Sequence, residues 1–120
     1  MGSPTLKVNW PWPAQLDALS AAGKYHALLL ENDRVRVLET HIPAGHSTPL
    51  HTHCWPSLLY LVNFSHFIRR DERGNVLLDT RMLPDSGKLP GVQWSEPMPP
   101  HTVENVGAGE LRVINFELKD

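Results

Sequence analysis

Between residues 25 and 118 turn-forming residues interrupt the chain so often that no segment is left for a substantial helix. The breaks fall at Asn32-Asp33, at Pro43-Ala44-Gly45, at residues 71–75 around Gly74, at Glu96-Pro97-Met98-Pro99-Pro100, and at Gly107-Ala108-Gly109. Proline lacks a backbone donor and fixes φ, while glycine, asparagine and aspartate accept the conformations of tight turns, so each break ends a ladder. Segments of strand length lie between them: residues 25–31, 34–41, 58–62, 67–68, 76–78, 92–95, 102–106 and 111–118. Many short strands at near-regular spacing predict a β-barrel or sandwich.

The first two segments read as a hairpin about Asn32-Asp33. In the second, Val35 and Val37 alternate with Arg34 and Arg36, the pattern of a sheet with one wet face. The run Leu58-Leu59-Tyr60-Leu61-Val62 is continuous instead, which predicts a strand covered on both sides and, from that, a homodimer. Residues 81–91 read as a loop. Ahead of the strands, residues 1–24 form an N-terminal extension containing Pro4, Pro11, Pro13, Trp10 and Trp12. The tryptophans are expected to pack over a barrel end or a second subunit. A short helix is predicted over residues 13–22, with Gly23 just past its end and Leu16 and Leu19 as a narrow apolar stripe. Residues 25–120 are expected to make a single barrel domain.

Hydrophobic residues at 41% and charged residues at 20% fit a folded globular chain and exclude general disorder. A formal charge of −2 gives no electrostatic reason to expect nucleic acid or an anionic membrane as a partner. No run is long and apolar enough for a membrane-spanning helix, and a cytoplasmic location is the expectation. The sole cysteine, Cys54, excludes an intrachain disulfide.

The chemistry concentrates in residues 45–57, Gly-His-Ser-Thr-Pro-Leu-His-Thr-His-Cys-Trp-Pro-Ser. In an extended strand His51 and His53 share a face with Cα atoms roughly 6.5–7 Å apart, close enough for both imidazoles to bind one metal ion. On spacing alone the pair reads equally well as surface or core histidines. A second histidine, His101, follows the proline-rich run, in Pro-Pro-His-Thr-Val-Glu-Asn-Val-Gly.

Gly45 followed five residues later by His51-x-His53, and His101 followed four residues later by Asn105, resembles the two motifs of the cupin family. The resemblance covers residues 35–118. It implies an all-β double-stranded β-helix, the cupin jelly-roll barrel, with the short helix as an N-terminal addition. It also implies a metal centre on His51, His53 and His101. The family's glutamate is absent: Ser57 stands three residues after His53, and Leu58 follows. The resemblance then implies a three-histidine site like that of cysteine dioxygenase-like cupins, with Ser57 placed to hydrogen-bond a metal-bound water. Neutral imidazoles suit a divalent transition metal, Fe, Zn, Ni or Cu, over calcium or magnesium. The function implied is a mononuclear metal-dependent dioxygenase acting on a small anionic, enol or thiol substrate. The alternative is a non-catalytic barrel, or a redox-neutral isomerase, that binds a small molecule beside a structural metal. No catalytic base can be named.

Other residues have two readings each. His46 is a reserve ligand or a loop histidine; His41 and His66 lie on predicted strands in core or surface roles; His26 has no context. Cys54 has the opposite parity to the ligands and reads as a buried apolar residue. Glu96 and Glu104 are the replacement carboxylates to consider, and Asn105 reads as a turn residue. Tyr60, Trp55 and Trp94 belong to a pocket or to the core. Arg36, Arg69 and Arg70 offer a cation for a substrate carboxylate, or simply the solvated face of a strand.

Overall fold

The computed structural model describes residues 10–84 and 91–119. The strands are β1 (His26–Glu31), β2 (Val35–Ile42), β3 (His51–His53), β4 (Ser57–Asn63), β5 (Phe67–Asp71), β6 (Val76–Asp79), β7 (Val92–Ser95), β8 (Met98–Asn105) and β9 (Leu111–Leu118). They form two antiparallel sheets, one ordered β1-β2-β9-β4-β7 and the other β3-β8-β5-β6. This is the double-stranded β-helix that the motifs imply. No helix among the described residues is long and apolar enough to cross a membrane. Pro4 and the 85–90 part of the expected loop lie outside the described residues.

Local chemistry explains the connections. Asn32 Oδ1 accepts from the amides of Arg34 and Val35 at 2.7 and 3.0 Å and so closes the β1–β2 hairpin. Gly45 adopts φ +82°, a left-handed turn that a side chain would strain, and starts the approach to β3. Pro99 and Pro100 are accommodated in β8 because its pairing with β5 ends at Asp71↔His101, while its register with β3 slips between His51 and His53. The apolar core of Tyr25, Ile42, Phe67, Leu111 and Val113, backed by Leu59, Leu61 and Val103, lies between the sheets.

Three expectations are corrected. In β2 the inward, buried residues are Arg36, Leu38, Thr40 and Ile42, whereas Val35 and Val37 face outward. An arginine can take the inner face because two carboxylates meet it there. Second, β4 is covered on one face only: Ser57 is buried, whereas Leu58, Tyr60 and Val62 are 41–49% exposed. Third, the helix predicted over residues 13–22 is broken at Asp17 into a 3₁₀ turn (Ala14–Leu16) and a four-residue α1 (Ala18–Ala21). Asp17 is extended there and forms a parallel bridge to Thr52 of β3, and its carboxylate caps the Leu19 amide at 3.1 Å. Ala18 and Ala22, not Leu16 and Leu19, are the residues this segment buries. Trp10 and Trp12 stack edge to face at 4.8 Å.

Candidate metal centre

His51 pairs across the sheet with His101, which places two imidazoles side by side, their ring centroids 4.4 Å apart. The His53 ring lies 5.2 Å from His51 and 5.7 Å from His101. The three residues named from the sequence are therefore together, and each is at most 5% exposed. A fourth joins them. His26, at the start of β1 on the opposite sheet, has its ring 4.8 Å from His51 and 5.4 Å from His53, and potential ligand atoms of His26, His51 and His53 lie within 4.8 Å of one another.

All four rings are fixed by the same device. Nδ1 of His51 meets the Pro49 carbonyl at 2.8 Å, that of His101 the Pro99 carbonyl at 2.8 Å, and that of His26 the Ala22 carbonyl at 3.0 Å. A carbonyl only accepts, so Nδ1 carries the proton and Nε2 keeps its lone pair. His53 Nδ1 donates instead to the Glu117 carboxylate, at 2.8 Å. An acceptor on the far nitrogen is how proteins set the tautomer and orientation of metal-ligating histidines.

Behind His53 lies a buried ionic chain. Arg36 Nε donates to Glu117 Oε1 at 2.5 Å, while its two terminal nitrogens hold both oxygens of Asp17 at 2.9 and 2.8 Å. Burial works against the Asp17 carboxylate, but Arg36 overcomes this and holds it below the usual range. Burial pushes the Glu117 carboxyl up, against the opposing pull of Arg36. Burial favours the neutral form of all four histidines. Burial, reinforced by the neighbouring imidazoles, brings His26 and His53 down to about 3 each. Burial also lowers His51, and it takes His101 well below the ordinary value, helped by His51 and His53. Four neutral imidazoles with free lone pairs and anchored rings fit a divalent transition ion.

The other nominated residues are accounted for. Ser57 Oγ donates to the Trp55 carbonyl at 3.4 Å instead of standing in for the missing glutamate. Glu104 pairs with Arg70 at 2.9 Å on the partly exposed outer face, and Glu96 accepts from the Trp94 indole, so neither replaces that carboxylate. His46 meets the Tyr25 hydroxyl, His41 meets Glu110, and His66 meets Thr80. Cys54 is fully buried. Asn105 is committed to structure, donating to the Ile42 and Gly109 carbonyls and accepting from Ser65 and Gly107. Trp55 packs under Arg36, 5.0 Å away, while Tyr60 and Trp94 stand on the exposed outer face. Sequence reasoning missed His26, Asp17 and Glu117. His26 carries no local motif, and the two carboxylates lie 19 and 81 residues from the arginine they hold.

A cavity between the sheets opens onto the imidazoles, walled by Ile42, Leu59, Leu61, Phe67, Leu111 and Val113. Its polar lining besides the histidines is Thr40, Thr48, Gln93, Asn115 and Arg69; no carboxylate among the described residues faces it.

With this geometry the fold is recognisable among solved structures. A cupin domain from Bordetella pertussis Tohama I superposes with a TM-score of 0.63 at 20% identity, over 79% of this chain and 92% of that one. An RmlC-like cupin family protein with a double-stranded β-helix fold from Methanocaldococcus jannaschii gives 0.55 at 12% identity, over 78% and 77%. The polyketide cyclase RemF from Streptomyces resistomycificus gives 0.56 at 17%, over 100% of this chain and 81% of that one. No family model and no curated protein matches the sequence. The class that the fold defines is the cupin barrel. This chain has that fold, with four clustered, buried histidines and no carboxylate among the described residues lining its cavity.

Proposed function

We propose that the chain is a metal-dependent cupin enzyme that binds a small anionic, enol or thiol substrate at an ion held by His51, His53, His101 and His26. The observation that carries this reading is the shared anchoring of the four rings, which leaves each Nε2 free. A divalent ion there would supply a Lewis acid for a chelating oxygen or sulfur and, in the case of iron, a centre for dioxygen chemistry. With neutral ligands the ion's charge is not cancelled by the protein near the substrate, which favours a substrate that reacts as an enolate or thiolate. Dioxygenase chemistry asks for no further acid or base and is the reading we prefer. The absence of a carboxylate among the described lining residues supports the alternative of a non-catalytic binding barrel.

Elemental analysis of protein purified without a histidine tag tests the centre. About one iron, zinc, nickel or copper ion per chain is expected, with metal affinity falling by two or more orders of magnitude in His51→Ala and His101→Ala and by a smaller factor in His26→Ala. A native chain that takes up none of these ions on reconstitution would overturn the proposal. With an ion present, oxygen uptake with thiol and diketone substrates separates the dioxygenase from the binding barrel.

We also propose a homodimer through the outer face of the five-stranded sheet. The ladder registers align Leu30, Val37, Phe116, Leu58 and Trp94 in one uncharged row across all five strands. Four of the five are 39–53% exposed. A two-fold axis parallel to the sheet, in the plane of contact, would lay that row on its own copy. Light scattering should give twice the chain mass, falling to one chain mass in the double variant Leu58→Lys/Trp94→Lys; a monomeric native chain would exclude this interface.

A further inference from the structure

Two arginines point inward in this barrel, and their surroundings differ. Arg36 is met by two carboxylates, as a buried guanidinium ordinarily requires. Arg69 is met by none among the described residues. It stands on β5 opposite Val103, which is two residues from His101 on the same face of β8, and it lines the cavity with the four histidines. Its Nε is buried without a hydrogen-bond partner, and its guanidinium lies 5.8 Å from the Phe67 ring centroid. Its positive charge acts on His51, His53 and His101, behind burial and their other neighbours. By contrast Arg70, one residue on, faces outward and is paired with Glu104.

An unpaired cation facing an apolar cavity is costly to the folded chain, and a bound anion would remove that cost. Resting on the reading of this cavity as the ligand site, we infer that Arg69 receives the anionic group of the ligand. The ligand class is a monoanion with an apolar body, such as an aryl or acyl carboxylate, or the corresponding enolate. Its charge lies against Arg69 and its hydrocarbon part against Leu59, Leu61, Phe67 and Val113. A guanidinium suits this role better than an ammonium, because its planar fork matches a carboxylate with two donors.

Calorimetric titration with benzoate and hexanoate, and with uncharged benzamide as the control, tests the assignment on metal-free and zinc-loaded protein. Both carboxylates should bind the native chain, and Arg69→Met should weaken them about 10- to 100-fold while leaving benzamide within about two-fold. Arg69→Lys should recover part of the loss. The metal-free Arg69→Met protein should also melt at the same temperature as the native chain or higher, whereas an arginine serving only the fold would lower it. Equal carboxylate affinity in Arg69→Met, or no carboxylate binding to the native chain at millimolar concentration, overturns the assignment. Retained zinc binding in Arg69→Met separates that failure from failure of the metal centre. Arg69-dependent benzoate binding in a chain that takes no metal would leave the assignment standing alone.

Discussion

Replacing Arg36 by methionine is expected to remove about 3–5 kcal/mol of folding stability, the range for breaking a buried ion pair from one side. The side chain is almost completely enclosed, and among the described residues it alone holds both Asp17 and Glu117. Methionine fills similar space but leaves two carboxylates without their cation, one of them wholly buried. The pH dependence identifies the cause. In the native chain Asp17 is held below its usual range, so it contributes stability above its unfolded pKa that is lost as pH falls through the folded value. Without Arg36, burial, the largest influence on Asp17, is opposed mainly by the Leu19 amide and raises the carboxyl, reversing that sign. The deficit of the variant should therefore be largest at neutral pH and shrink as pH falls from there, because the buried carboxyls of the variant take up protons first. Urea denaturation of both proteins at pH 7 and about pH 5.5, above the range in which the native chain itself unfolds, measures this. A loss below about 1 kcal/mol at pH 7 would show that the network has little energetic weight.

The metal-free native chain should unfold in mildly acidic solution. His26 and His53 titrate at about 3 in the folded chain against about 6.5 in an unfolded one, and His51 and His101 are also lowered. For a base with a depressed folded pKa, both states are neutral above pH 6.5 and stability there is unaffected. Below that value the unfolded chain binds protons that the folded chain refuses, so stability falls until the folded pKa is reached. His26 and His53 contribute about 1.4 kcal/mol each per pH unit, about 2.8 together, and His51 and His101 add to that. Glu117, raised by burial, acts in the opposite sense, but it is one group against four. A domain near the lower end of the usual 5–15 kcal/mol is then exhausted within about two units below pH 6.5. Circular dichroism against pH should give a midpoint between about pH 4 and 5, shifted by zinc because the ion binds only the folded, unprotonated site. A metal-free chain still folded at pH 3 would show that these imidazoles are solvated.

The fold was legible because its punctuation is local. Asn32-Asp33, Gly45 and Gly74 each act within a few residues, and the hairpin and the succession of strands follow from them. His51, His53 and His101 were legible for a related reason: period-2 spacing and the flanking residues sit in short stretches of chain. What escaped is long-range. Val35 and Val37 were given the inner face because an arginine on a strand ordinarily marks the solvent side, and only Asp17 and Glu117, from two remote segments, reverse that. His26 reaches the site because β1 lies in the sheet facing β3, a juxtaposition that no spacing within the chain announces. The continuous run of β4 showed that its outer face is apolar, but not what would cover it.

The anchoring of the four imidazoles also bears on the thermodynamics of capture. A histidine side chain that is free before binding loses the freedom of two torsions when it becomes a ligand, and four such losses would weigh on affinity. Here the Pro49, Pro99 and Ala22 carbonyls and the Glu117 carboxylate have already restricted those torsions. The ordering belongs to the folding reaction, so an ion bound there as proposed would meet a rigid set of lone pairs and would retain more of its coordination energy as affinity.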